Sequence, residues 1–139
     1  MRTTTPIQVR FNDIDMAGHV HNAVYLSWFE QGRMEYLAKL IAPGNDWKKQ
    51  GLIVARNEVD YRRPVHLRDQ VEVDCWCARI GSKSFDLHYA VFTVQNKVRQ
   101  LCTQGRSVMV AMDYTANAAI NLPEAWRADL LRMLQPMEG

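Results

Sequence analysis

At 139 residues, with 47% hydrophobic and 23% charged side chains, the chain has apolar material for one packed core and little for a second, so one domain over residues 1–139 is expected. A formal net charge of +2, with Lys and Arg interleaved among acids, excludes the basic stripe of a nucleic-acid binder and leaves room only for a local patch facing a phosphorylated ligand. No window approaches the roughly 18 apolar residues of a membrane span and MRTTTPIQVRF carries no apolar leader core, which predicts a soluble, cytoplasmic protein with no membrane partner.

The first element is a strand running to about residue 12, in which Ile7, Val9 and Phe11 alternate with Gln8, Arg10 and Asn12. From Asn22 the period changes. Tyr25, Leu26, Phe29, Tyr36, Leu37, Leu40 and Ile41 recur at three and four residues, a helical face with Asn22 as N-cap and Pro43-Gly44 as stop. Gly32 inside that helix costs about 1 kcal/mol relative to Ala, which predicts a tight neighbour.

Four strands follow, over 52–63, 70–80, 84–94 and 98–113. In the second of these, Val71, Val73, Cys75 and Cys77 alternate with Glu72, Asp74 and Trp76, as a sheet with one wet face requires. Gly81-Ser82-Lys83 and Gln95-Asn96-Lys97 are hairpin turns, which makes the last three strands an antiparallel meander, and Gly105 marks a bulge. Residues 124–134, with Trp126, Leu130, Leu131 and Leu134, form a short closing helix. Cys75, Cys77 and Cys102 are an odd count with no base nearby and read as buried free thiols. Helices do not alternate with strands, so the class is α+β, a five-stranded antiparallel sheet with one long helix. That is a thin core, and dimerisation through sheet edges would thicken it.

The chemistry is concentrated between the first strand and the long helix, where Asp13, Asp15, His19, His21 and Asn22 lie close together. Spacing leaves three readings open. A carboxylate can serve as general base or nucleophile at a small carbonyl, with N–H groups of Gly18 to Asn22 at the helix start as an oxyanion site. The same acids and imidazoles can ligate a metal, or simply cap a turn.

The run FNDIDMAGHVHNAVYL over residues 11–26, followed by Phe29-Glu30 and Arg33, resembles the signature of hotdog-fold acyl-CoA thioesterases, most closely the 4-hydroxybenzoyl-CoA thioesterase branch, D-x-D-x-x-G with N/H-x-x-Y and F-E-x-x-R. Weaker likeness continues through Val59-Asp60-Tyr61, residues 64–69 and Ile80 to Phe85. The resemblance implies a hotdog fold, a sheet wrapped round the long helix, and hydrolysis of an acyl-CoA or acyl carrier protein thioester without metal or organic cofactor. It makes Asp15 the catalytic carboxylate and puts Gly18 at the turn whose N–H groups polarise the thioester carbonyl. Some relatives carry a histidine where this chain has Asn22, which cannot take a proton, so any acid–base duty of that histidine is absent here or passes to His19 or His21, with Asn22 left to orient water or cap the helix. Asp13 is expected to hold the turn, His19, His21 and Tyr25 to line the site, and Arg62, Arg63 and Lys83 to face the phosphates of CoA. Glu30 is the rival carboxylate from the helix, with an i, i+3 pairing to Arg33 as its plainer role. The implied assembly is a homodimer or homotetramer. A non-catalytic acyl-CoA or acyl-carrier binding module is the alternative, and a dehydratase on the same fold stands third.

Overall fold

The computed structural model describes residues 2–41 and 44–137, so the expected helix stop at Pro43 lies outside the described residues. The elements are β1 (Thr3–Ile7), a 3-10 turn (Phe11–Asp13), α1 (Val24–Ala38), β2 (Gln50–Tyr61), β3 (Gln70–Ile80), β4 (Ser84–Gln95), β5 (Val98–Asp113), the two-residue β6 (Ala118–Ala119) and α2 (Glu124–Arg132). The long strands are antiparallel in the order β1-β3-β4-β5-β2, with β6 paired to the end of β5. This is the α+β hotdog arrangement, a curved sheet around one long helix.

β3 and β5 fall where alternation and flanking turns place them. The β4–β5 hairpin closes on Asn96 and Lys97, both at positive φ, as a two-residue turn matched to strand twist requires. β1 is a correction to the expected strand, because it ends at Ile7 and Phe11 turns outward, 80% exposed. Asp13 causes this break: its carboxylate accepts the Arg10 backbone N–H at 2.8 Å and the Arg10 guanidinium at 3.0 Å, closing a turn that competes with the strand.

In α1 the buried stripe is Tyr25, Trp28, Phe29, Gly32, Tyr36 and Leu37, with Trp28 in the place expected of the exposed Leu26. Fully burying each large side chain of this stripe contributes about 2–3 kcal/mol. Gly32 lies where a Cβ would come 3.1 Å from Val73 Cγ1, the tight neighbour its presence implied. Gly105 forms no bulge. A Cβ there would lie inside the Phe29 ring, so this glycine opens the sheet for Phe29, which stacks on Tyr89 at 4.3 Å. The bulges fall at Ala55, at Ala78 and at Cys102.

The outer face of β3 is drier than its alternation suggested. Asp74 is buried, bridged by Arg99 at 2.7 and 3.2 Å and by the Thr4 hydroxyl at 2.7 Å, while Arg2 lies over the Trp76 ring. Cys75, Cys77 and Cys102 are buried and free. α1 packs most closely on β1, β3 and β4, and β2 is a mostly exposed 12-residue edge that meets α1 through the Tyr25–Tyr61 ring contact. Among the described residues no helix is long and apolar enough to cross a membrane.

Candidate active site

Between the 3-10 turn and α1 the backbone folds into a loop pinned at both ends. Ile14 and Val20 form a β-bridge, the Val20 N–H bonds the Val65 carbonyl at 2.8 Å, and the His21 N–H bonds the Asp13 carbonyl at 2.8 Å. Inside it Asp15 organises the tip. Its Oδ1 accepts the Ala17 N–H at 2.9 Å and the His19 N–H at 3.3 Å, and its carbonyl accepts the Gly18 N–H at 3.0 Å. Gly18 sits at φ +83°, a conformation that glycine adopts without strain. One oxygen of the Asp15 carboxylate is thus fixed by backbone, and Oδ2 is unbonded among the described residues.

The cleft at this tip, about 240 Å³, is lined by Asp15, His19, Val20, Asn22, Tyr25, Tyr61, Arg62, Arg63 and Pro64. Of the residues the sequence pointed to, Asp15, His19, Asn22, Tyr25, Arg62 and Arg63 therefore converge. Three do not. Gly18 shapes the turn from outside the cleft lining, and its N–H is already given to the Asp15 carbonyl. His21 turns toward the helix, where its Nδ1 accepts the Ala23 N–H at 3.1 Å, which leaves Nε2 as the protonated nitrogen. Lys83 sits on the β3–β4 hairpin, its carbonyl bonded to the Ala111 N–H, whereas Arg62 and Arg63 bond the Cys102 carbonyl. Positions 102 and 111 of β5 are roughly 30 Å apart at about 3.3 Å per residue, so within one chain Lys83 is remote from Asp15.

Asn22 does not cap α1 through its side chain. The residue before the helix is Ala23, which makes no side-chain cap bond, and the Asn22 carbonyl instead accepts the Tyr61 hydroxyl at 2.8 Å. The Asn22 N–H has no partner among the described residues and stands at the positive end of α1. Tyr61, at the last position of β2, is the site residue that sequence reasoning missed as such, and its ring meets Tyr25 edge-on at 5.3 Å. Burial pushes the phenols of Tyr25 and Tyr61 up, so both are neutral donors at ordinary pH. His19 packs edge-on against His66 at 5.1 Å.

Glu30 faces Arg33 at 3.9 Å on the solvent side of α1, away from the Asp15 cleft lining. Asp13 is buried and committed to Arg10. Among the described residues no three His, Cys, Asp or Glu side chains gather as a metal's ligand set would.

The sequence profile of the Thioesterase-like superfamily matches residues 9–130. A thioesterase from Thermus thermophilus, solved with coenzyme A and zinc, is 34% identical and superposes with a TM-score of 0.78 over 91% of this chain and 95% of that one. A predicted thioesterase from Bacillus stearothermophilus is 28% identical, with a TM-score of 0.85 over 99% of this chain and 100% of that one. In sequence, a 1,4-dihydroxy-2-naphthoyl-CoA hydrolase from Synechococcus sp. (strain WH7803) is 31% identical over 101 residues, 66% of each protein. With a sheet wrapped round one long helix, a backbone-anchored carboxylate in the loop before it, and this match over residues 9–130, the chain belongs to the Thioesterase-like superfamily of hotdog-fold thioester hydrolases.

Proposed function

We propose that the protein hydrolyses acyl-CoA thioesters with Asp15 as general base. The observation that carries this reading is the Asp15 carboxylate, one oxygen anchored by the Ala17 and His19 N–H groups and the other unbonded among the described residues, in a cleft that Asn22, its N–H likewise unbonded, also lines. In the reaction Oδ2 takes a proton from water as the water oxygen adds to the thioester carbonyl. The Asn22 N–H, at the positive end of α1, stabilises the oxyanion. Collapse breaks the C–S bond, the thiolate of CoA leaves and takes up the proton, and the acid is released. His19, Arg62 and Arg63 line the approach for the pantetheine and phosphate portions.

The site is completed by a second copy. β2 exposes its edge and the side chains of Ile53, Val54 and Tyr61, and α1 covers its inner side only in part. Pairing two β2 edges antiparallel about the middle of residues 50–61 sets Tyr61 of one copy beside about residue 50 of the other. Lys83 stands level with Leu52 through Ala111, so this two-fold brings the Lys83 hairpin of one copy to the Asp15 cleft of the other. The separation of Lys83 within one chain then has a purpose, since the two copies share a binding surface.

The test is release of free thiol from a panel of short, long, dicarboxylic and aromatic acyl-CoA thioesters, with carrier-protein conjugates alongside. Turnover of acyl-CoA members is expected, and in 18O-water the acid from the first turnover carries the label. No turnover across the panel would leave a non-catalytic acyl-CoA binding module as the reading. Unlabelled first-turnover acid would make Asp15 a nucleophile instead.

A further inference from the structure

A second cavity, about 480 Å³, lies between α1 and the inner side of β2 and β5, lined by Glu30, Arg33, Met34, Leu37, Ala38, Trp47, Leu52, Val54 and Met109. Its walls are apolar apart from one pair of charges. The Arg33 side chain is 12% exposed, and its position is unusual for a cation with so little around it to balance the charge. Of its five N–H donors, the only hydrogen bond among the described residues goes from Nη1 to the Tyr89 hydroxyl at 3.1 Å. The carboxylate of Glu30, 66% exposed, stands 3.9 Å from Nη2, beyond hydrogen-bond distance and screened by water. Tyr89 supplies no charge, since burial pushes its phenol up to about 12 and holds it neutral. Its ring is fixed by stacking on Phe29, and Ser107 beside it is committed to Asn57 at 2.6 Å.

A largely buried guanidinium with unfilled donors at an apolar cavity is costly unless an acceptor arrives. We infer that Arg33 is a specificity residue that receives an acceptor oxygen, a carboxylate or an aryl hydroxyl, on the far part of the acyl group. Arg33 lines the cavity with donors unfilled among the described residues, the apolar walls suit the carbon skeleton of a compact acyl group, and a carboxylate accepted there meets both the charge and the fork geometry of the guanidinium, whereas an aryl hydroxyl fills one donor. A plain alkyl chain would leave those donors unmet. The inference rests on the acyl-CoA reading above, in which the two-fold faces this cavity toward the Asp15 cleft of the second copy.

The experiment compares kcat/KM for matched pairs, glutaryl-CoA against valeryl-CoA and hydroxybenzoyl-CoA against benzoyl-CoA, in the wild type and in Arg33→Met. A charged hydrogen bond of this kind corresponds to roughly tenfold or more in discrimination. The expected result is a preference of about that size for the oxygen-bearing member of at least one pair, carboxylate or hydroxyl according to the pair, lost in Arg33→Met while the plain member changes by less than about threefold. Arg33→Lys, which keeps the charge, should retain a carboxylate preference and covers the case in which Arg33→Met does not fold. Equal rates within both wild-type pairs, a uniform loss across all four substrates, or an Arg33→Met protein of smaller assembly state by size-exclusion chromatography would overturn it. Hydrolysis of none of the four would instead count against the thioesterase reading itself.

Discussion

In the proposed mechanism Asp15 carries two duties that its two oxygens divide. Oδ1 holds the loop tip through Ala17 and His19, which orients the carboxylate as helix and strand residues orient a core side chain, and Oδ2 is left for chemistry. The Tyr61 hydroxyl on the Asn22 carbonyl ties the chain just before α1 to the end of β2, a contact between residues far apart in sequence. Tyr61→Phe removes that hydrogen bond and keeps the ring packed against Tyr25. It should cost about 0.5–1.5 kcal/mol in chemical denaturation and lower kcat more than it raises KM, because the helix start that faces the oxyanion loses its tether. Unchanged kcat in Tyr61→Phe would show that the tether is not needed. The loop that holds Asp15 and Gly18 was legible as a candidate because its residues lie in one short run. The role of Tyr61 was not, since nothing local marks a strand-end tyrosine as the partner of a loop carbonyl.

At the scale of elements, α1 and the sheet are fitted by small residues. Gly32 admits Val73, and Gly105 admits the Phe29 ring that braces Tyr89. Gly105→Ala drives a methyl into that ring and to 3.0 Å from the Glu58 carbonyl, and should destabilise the protein by about 1–3 kcal/mol in urea titration. A variant of wild-type stability would show that Phe29 has room to move. The same glycine shows where sequence patterning stops. A glycine in a strand signals either a bulge or a close approach, and only the ring packed on it distinguishes the two. β3 was readable because its alternation is bounded by turn residues and β5 because a turn precedes it, whereas β1 was overextended because Phe11 keeps the alternating period while Asp13 and Arg10 break the strand with side-chain bonds.

For the whole molecule, one chain presents an unpaired 12-residue edge and an inner sheet face covered only in part by α1. That edge and face are what the proposed second copy would cover. Sedimentation or light scattering should give a dimer, or a tetramer built from it, and Val54→Lys, at the open side of β2, should shift the protein toward monomer with loss of activity. A monomer with full turnover would contradict the shared site. The proposed role of the Asp15 carboxylate does not depend on the assembly, and Asp15→Asn tests it most directly because it keeps shape and the Oδ1 acceptor while removing the base. Measured on the acyl-CoA the wild type turns over fastest, kcat should fall by about 10²-fold or more, the contribution expected of a positioned general base, with the melting temperature and CoA binding near wild type. A folded Asp15→Asn protein with kcat within a few-fold of wild type would contradict the claim that this loop carries the chemistry.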